Sequence, residues 1–158
     1  MQVLTLQFKA GNILIPISMV AQIVSRSAIK PFHCRADFVS SKIIWRGIEI
    51  PLVYSSKMLG AESSSDTEFE RVVVLWPMKG SQAEDLFALT SIGSPHVVNI
   101  DADVKRLENH EPSIVSKESS RKYVLDYLQV EGMPSVVPDL RLISNLIFKP
   151  EIGSDDKK

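Results

Sequence analysis

The segment 42–54 constrains the fold of this chain most strongly, because two apolar runs meet there at Arg46-Gly47. The apolar residues after the glycine alternate from Ile48 to Leu52, a spacing that places them on one face of a strand. The pattern predicts a β-hairpin whose tip carries Arg46 beside Trp45. A guanidinium held at a tight turn suits recognition, because it offers a rigid fork of hydrogen-bond donors. The alternative is an ordinary solvated arginine, which is common at hairpin tips.

Length and composition limit the class of protein. The chain has 158 residues, of which 44% are hydrophobic, enough for one domain or for two small lobes that share a core. The formal net charge is -1, from 18 basic and 19 acidic residues. A protein that binds the phosphate backbone of nucleic acids normally carries a basic stripe, so we expect no nucleic-acid partner.

The sequence also bears on compartment. Cys34 is the only cysteine, so no disulfide can form within the chain, and we expect a reducing compartment. Residues 1–8 alternate between polar and apolar and lack the basic start and apolar block of a secretory signal. No apolar run approaches the ~20 residues that cross a bilayer. We therefore expect a cytoplasmic protein that does not insert into membranes.

The dominant period along the chain is two, which is typical of strands. Strands are predicted over 4–8, 13–17, 42–54 (as the hairpin), 71–76, 86–92, 97–100, 123–130 and 135–137. Short helical turns are predicted over 19–23, 55–60 and 101–107, with loops around 31–33, over 61–68 and over 108–122. Pro138-Asp139 opens a helix in which Leu140, Ile143 and Ile147 face the core. Short strands without long helices between them favour an all-β barrel or sandwich.

Two parts of the chain resemble each other. Gly47-Ile-Glu-Ile-Pro51 precedes a short helical segment, and 132–138, which also begins with glycine, precedes another. Two similar small barrels placed back to back would produce this repeat.

Residue sets for catalysis, for a metal or for a cofactor are missing from the sequence. The histidines His33, His96 and His110 have unrelated spacings that match no metal motif. His33 and Cys34 are adjacent, and neighbours on an extended chain point to opposite faces, which disfavours a nucleophile–base pair. No glycine-rich phosphate loop is present. We therefore expect no enzyme activity, no cofactor and no metal.

The aromatic residues also argue against a nucleic-acid surface. Phe8, Trp76 and Phe87 lie in apolar strands, so core packing is the better interpretation for them, while Trp45 is the exception and is expected at the surface. The remaining class of function is binding to other proteins, at a strand edge or in a groove between lobes.

The segment 44–53 resembles the signature of the CheW-like chemotaxis coupling domain. In that family a strand ends in Leu-Arg-Gly, the next strand carries an apolar-x-apolar-Pro pattern, and a short helix ends near Leu-Gly. Arg46-Gly47, Pro51 and Leu59-Gly60 match this signature. The likeness spans about residues 2–148, and further matching segments occur in the family's order at 4–8, 15–23, 72–75, 87–89 and 136–140.

The resemblance implies a fold of two five-stranded SH3-like barrels around a shared hydrophobic core, with short helices. It implies a single domain over 1–150, followed by a disordered tail over 151–158. The first barrel would cover roughly 18–85, and the second roughly 86–148, with the N-terminal strand as a candidate further member.

The resemblance also implies a function, that of a non-enzymatic adaptor linking methyl-accepting chemoreceptors to a CheA-type histidine kinase. The receptor's cytoplasmic tip, a helical hairpin, would dock in the groove between the barrels, and the kinase's CheW-like regulatory domain would meet the barrel ends. The tryptophan before Arg-Gly is similar to the divergent ChpC-type adaptors of type IV pilus chemosensory systems. The candidate partner-binding residues are Val20, Gln22, Ile23, Trp45, Arg46 and Gly47.

Four positions depart from the family pattern. Ile44 and Tyr54 flank the hairpin motif where the family has asparagine and aspartate, Gln22 replaces an acidic residue, and Ile92 replaces an aspartate. The change at Gln22 bears most directly on partner choice, because charges at the rim of an interface set specificity. Two alternatives stay open: an unrelated β-barrel module that captures an extended peptide, and a small hydrolase or ligand-binding barrel, which would need a deep pocket with perturbed titratable groups.

Overall fold

Two curled sheets of six strands each make up most of the protein. The computed structural model describes residues 1–60, 69–101, 104–107, 114–115 and 117–149. The strands are β1 Gln2–Phe8, β2 Gly11–Pro16, β3 Val20–Ser25, β4 Ile29–Pro31, β5 Val39–Trp45, β6 Ile48–Val53, β7 Arg71–Leu75, β8 Phe87–Ser91, β9 His96–Asn99, β10 Lys105–Arg106, β11 Val124–Val130 and β12 Met133–Pro138. The helices are α1 Ser55–Met58 and α2 Leu140–Phe148, and 3-10 turns cover Ile17–Met19 and Glu118–Tyr123. The predicted all-β fold with short helices is confirmed.

The two sheets have the same topology. The strand order is β3-β7-β8-β6-β5-β4 in one sheet, called here the first barrel, and β9-β1-β2-β12-β11-β10 in the other, the second barrel. The last strand of each sheet is a short edge strand, which is β4 in the first barrel and β10 in the second. The N-terminal strands β1 and β2 occupy in the second barrel the places that β7 and β8 occupy in the first. The repeat seen in the sequence therefore corresponds to two equivalent lobes.

Each barrel contains a two-residue hairpin. Arg46 (φ 51°) and Gly47 (φ 79°) connect β5 to β6, and Glu131 (φ 53°) and Gly132 (φ 77°) connect β11 to β12. Two successive positive φ angles are typical of a type I′ turn, whose twist matches that of paired strands. The hairpin predicted at Arg46-Gly47 is confirmed, and its counterpart lies at the equivalent place of the second barrel.

Apolar side chains form three clusters, one inside each barrel and one between the barrels. The strand β7 shows why: Val72 and Val74 face the inside of the first barrel, while Val73 and Leu75 face the shared core. A strand buried on both faces reads as a continuous apolar run. The shared core draws Leu4, Leu6, Phe8, Ile13, Ile15, Val73, Leu75, Phe87, Leu89, Tyr127, Val136, Leu140 and Ile143 from both lobes.

The C-terminal helix agrees with its prediction. Asp139 is the N-cap, and its Oδ1 accepts a hydrogen bond of 3.1 Å from the amide of Leu142. Leu140 and Ile143 are buried in the shared core, and Ile147 packs against it. A capping carboxylate after proline, followed by apolar residues at helical spacing, was sufficient to locate this helix.

Several predicted boundaries need correction. The predicted barrel limits place β8 in the second barrel, but it pairs with β6 and β7 of the first. All five of its residues are buried, and such an apolar run does not indicate which strands lie beside it. The turn predicted over 19–23 is largely the strand β3, and the predicted helix over 101–107 contains β10 instead. The predicted loop around Pro31 includes β4. The loop predicted at 61–68, part of that at 108–122, and the tail 151–158 lie outside the described residues.

Candidate partner-binding surface

The tip of the β5–β6 hairpin is held in place by its neighbours. The guanidinium carbon of Arg46 lies 4.7 Å from the centroid of the Trp45 ring, and Nη2 of Arg46 donates to Oε1 of Gln22 at 3.4 Å. Asparagine, aspartate and glycine are the residues that usually occupy this turn position, because a positive φ strains other side chains. Arg46 occupies this position with a φ of 51°, and its side chain contacts Trp45 and Gln22.

Trp45 is a core residue, so its predicted place at the surface is wrong. Only 7% of the residue is exposed, and it packs inside the first barrel with Ile43 and Ile50. Its indole Nε1 donates to Oε1 of Gln22 at 2.9 Å. Gln22 therefore bridges the edge strand β3 to the hairpin tip across the open side of the curled sheet, and it accepts from both Trp45 and Arg46.

Trp76 is the exposed tryptophan, which is the reverse of the prediction that placed it in the core. It follows the last residue of β7, on the face that Val72 and Val74 present to the barrel interior, so it lies at the barrel mouth. The residue is 47% exposed and meets Trp45 edge to face, with ring centroids 6.5 Å apart. The position of Trp76 between Leu75 and Pro77 was the sequence signal that β7 had already ended before this tryptophan.

Val20 and Ile23 both lie on β3 but in different surroundings. A register shift between Val20 and Gln22 interrupts the pairing of β3 with β7, and such bulges re-aim side chains. Val20 is half-buried against the shared core, while Gln22 and Ile23 are exposed. The structure thus brings together Gln22, Trp45, Arg46, Gly47 and Trp76, called here the first barrel end, and leaves Val20 outside that cluster.

The second barrel has an equivalent end. The two sheets can be aligned through their strand pairs, starting from the glycine of each hairpin, Gly47 and Gly132. In this alignment Gln22, which is opposite Val74 in the first barrel, is equivalent to His96, which is opposite Thr5 in the second. The imidazole Nε2 of His96 lies 3.2 Å from Oε1 of Glu131 at the tip of the β11–β12 hairpin. The two barrel ends therefore share a design, with a cationic tip in the first and an anionic tip in the second.

A groove of about 360 Å³ lies where the two barrels meet. Its lining is mostly apolar and includes Met19, Met78, Leu125 and Pro138, and the cations Lys79 and Arg141 also border it. Leu125 is 66% exposed. Sequence reasoning missed these residues, because they come from strand ends and turns far apart in the chain.

The structure places the residues that depart from the family pattern as follows. Tyr54 is buried, and its hydroxyl lies 2.8 Å from Oγ of Ser41. Ile92 is half-buried, and nothing in the structure explains its replacement of an aspartate. Ile44 is exposed on the outer face of the hairpin.

Two side chains of the described residues, Glu49 and Tyr127, have a shifted pKa. Lys30, whose Nζ lies 2.6 Å from Oε2 of Glu49, lowers the pKa of that exposed carboxyl through its hydrogen bond and charge. Burial raises the pKa of Tyr127. Within the part of the chain that the structure describes, no three His, Cys, Asp or Glu side chains converge as metal ligands would, and no helix could span a bilayer.

The fold and these two barrel ends define the class, a two-lobed β module with a charged residue at the tip of the hairpin in each barrel. The chain belongs to the CheW-like domain family, whose model matches residues 2–140. Its structure is similar to the crystal structure of the scaffolding protein TtCheW from Thermoanaerobacter tengcongensis, with a TM-score of 0.67 and 14% identity over 88% of this chain and 84% of that one. A comparison with curated protein sequences finds no match. The family predicted from the sequence is confirmed.

Proposed function

We propose that this protein is a non-enzymatic scaffold that couples methyl-accepting chemoreceptors to a CheA-type histidine kinase. Membership of the CheW-like family supports this role, as does the solved relative, which is described as a scaffolding protein. The observation that carries the proposal is the first barrel end, where Gln22 orients both Trp45 and Arg46 beside the exposed Trp76. Tryptophan and arginine are the residues most enriched among binding hot spots.

We assign the two kinds of partner to different surfaces. The groove between the barrels suits a helical receptor tip, because Met19 and Met78 are adaptable apolar side chains and Lys79 and Arg141 can pair with acidic flanks. The barrel ends suit the kinase's regulatory domain, which is itself CheW-like. The identity of the receptors that bind decides between a chemotaxis pathway and a type IV pilus pathway.

An isothermal titration with a CheA-type regulatory domain, and a second one with a receptor cytoplasmic fragment, test the proposal. Arg46→Ala should weaken binding to the kinase domain by about 1–3 kcal/mol if Arg46 is a hot spot. Arg46→Asn should do the same while it keeps the turn, because asparagine tolerates a positive φ. Lys117→Ala, which removes an exposed cation elsewhere, is the matched control and should leave the affinity unchanged.

The outcomes separate the possibilities. If correctly folded protein binds neither the kinase domain nor the receptor fragment, the coupling role is wrong. An unchanged affinity in both Arg46 variants would limit the hairpin tip to a structural role. The alternative of a peptide-binding module is favoured by one feature, the position of β3 at the edge of its sheet with Ile23 exposed. Such a module would bind extended peptides and not the kinase domain.

A further inference from the structure

The first barrel end holds an arginine whose charge the described part of the protein does not neutralise. Arg46 is exposed, and its guanidinium meets two neighbours, the ring of Trp45 at 4.7 Å and Oε1 of Gln22 at 3.4 Å. Neither neighbour carries a charge. Among the described residues the ion pairs involve other cations, and no carboxylate pairs with Arg46. The guanidinium is therefore held in position with its full positive charge.

The orientation of the Gln22 amide follows from the chemistry of its two partners. The indole Nε1 of Trp45 lies 2.9 Å from one terminal atom of Gln22, and Nη2 of Arg46 contacts the same atom. An indole N–H and a guanidinium can only donate, so this atom must be the amide oxygen. Gln22 thus positions both side chains as a carboxylate would, but it adds no negative charge beside Arg46.

The guanidinium also keeps donors for a further ligand. It has five N–H groups, and the contact with Gln22 uses one of them. Whichever proton of Nη2 is used, one edge of the planar group keeps two parallel N–H groups, the arrangement that matches the two oxygens of a carboxylate. Beside it lie two exposed apolar side chains, Trp76 (47% exposed) and Ile48 (46% exposed), of which Ile48 pairs with Trp45 across the hairpin. A partner that covers these side chains removes water from around the charge and strengthens an ion pair there.

We propose that Gln22 and Arg46 make the first barrel end specific for a partner surface that presents a carboxylate, from an aspartate or a glutamate, next to apolar side chains. The inference rests on the proposed function, because the partner in question is the regulatory domain of the kinase. Gln22 determines this specificity. A neutral acceptor positions Arg46 for an incoming carboxylate, whereas an acidic residue at position 22 would engage the guanidinium in an internal ion pair and compete with the partner.

Titrations of a CheA-type regulatory domain with variants of nearly equal shape, at low and at high salt, test the proposal. Gln22→Glu keeps an oxygen for Trp45 and Arg46 and adds the competing charge, so it should weaken binding about two- to fivefold at low salt, the range for an exposed charge pair. It should also make the affinity less dependent on salt. Arg46→Lys keeps the charge but loses the planar fork of donors, so it should weaken binding as well. Gln2→Glu makes the same change of charge on an exposed residue of β1 and is the matched control, with unchanged affinity.

Urea denaturation of the protein alone tests the contact on which the inference depends. Gln22→Glu should raise the urea midpoint through the new ion pair with Arg46, and the rise should be smaller at high salt. It should also be smaller in an Arg46→Asn background, which keeps the turn and removes the charge. An equal rise in both backgrounds would show that position 22 does not act on Arg46, and it would overturn the proposal whether or not a kinase domain binds.

The binding results separate this inference from the proposed function. If the wild type binds the kinase domain, and Gln22→Glu binds it equally well with the same dependence on salt, the specificity for a carboxylate is wrong while the coupling role stands. If Arg46→Lys binds as well as the wild type, the two-pronged contact with a carboxylate is wrong. If the wild type binds neither the kinase domain nor a receptor fragment, the coupling role is wrong, and this inference is wrong with it.

Discussion

At the first barrel end, one tryptophan contributes to stability and the other is available for recognition. Trp45 is buried and Trp76 is half exposed, although the two rings touch. A ring inside the barrel contributes through packing, while a ring at its mouth remains available to a partner. The same residue type thus serves two purposes at neighbouring positions.

Substitution of each tryptophan should separate these purposes. Trp45→Ala should lower the free energy of unfolding by about 3–5 kcal/mol, because it leaves a large cavity in the barrel core. Trp76→Ala should lower it by about 1 kcal/mol, from the lost ring contact, while weakening binding of the kinase regulatory domain. Urea denaturation and calorimetric titration measure the two effects. Equal destabilisation by both variants would contradict the assignment of Trp76 to the surface.

How far the sequence predicts the site depends on the residue. The turn at Arg46-Gly47 was predictable, because a glycine between two apolar runs of strand-like spacing is a local signal of a turn. The burial of Trp45 and the exposure of Trp76 were not, because they depend on which face of a strand the curled sheet encloses and where the barrel ends. The contact of Gln22 with Trp45 joins residues 23 positions apart and needs the tertiary fold.

At the scale of elements, local signals located α1, α2 and the hairpins, while the helical turns predicted over 19–23 and 101–107 and the neighbours of β8 were wrong. Asp139 before apolar residues at helical spacing identified α2, and Gly60 (φ 96°) ended the turn after α1 as expected. The placement of β8 was wrong, because an apolar run gives no information on its partners. Its neighbours β6 and β7 come from different parts of the chain.

The cap of α2 should be measurable on its own. Asp139→Ala removes the side chain that accepts from the amide of Leu142, and it should cost about 1 kcal/mol of stability. Asp139→Asn keeps a good capping side chain and should stay within a few tenths of a kcal/mol of the wild type. Thermal or urea unfolding of the two variants gives the comparison. A loss as large in Asp139→Asn would mean that the charge, and not the cap, is important.

At the scale of the whole molecule, the second barrel depends on a close approach between two strands that are far apart in the chain, β2 and β12. Strands β2 and β12 are parallel neighbours, with Asn12 opposite Ser135. A Cβ added at Gly11 would lie 2.3 Å from the carbonyl oxygen of Pro134. The backbones can be this close only because position 11 has no side chain.

Gly11→Ala should therefore destabilise the protein by about 1–3 kcal/mol or more, because the backbone of β12 must move. Lys9→Ala, on the same hairpin, changes an exposed side chain and should have an effect within about 0.5 kcal/mol. Urea denaturation of both variants checks the prediction. If Gly11→Ala unfolds at the wild-type midpoint, the approach of β2 to β12 is looser than the structure indicates.

The place of β1 and β2 in the middle of the second sheet has a consequence for how the chain acquires its fold during synthesis. The first barrel has all its strands once Ser91 has left the ribosome, whereas β1 and β2 pair with strands that follow it, up to Pro138. Pairing across such a long separation is slow, because a large loop must close first. The hairpin β1–β2 is therefore made before the first barrel but pairs with strands made after it, so a nascent chain holds one finished lobe and one exposed β-hairpin.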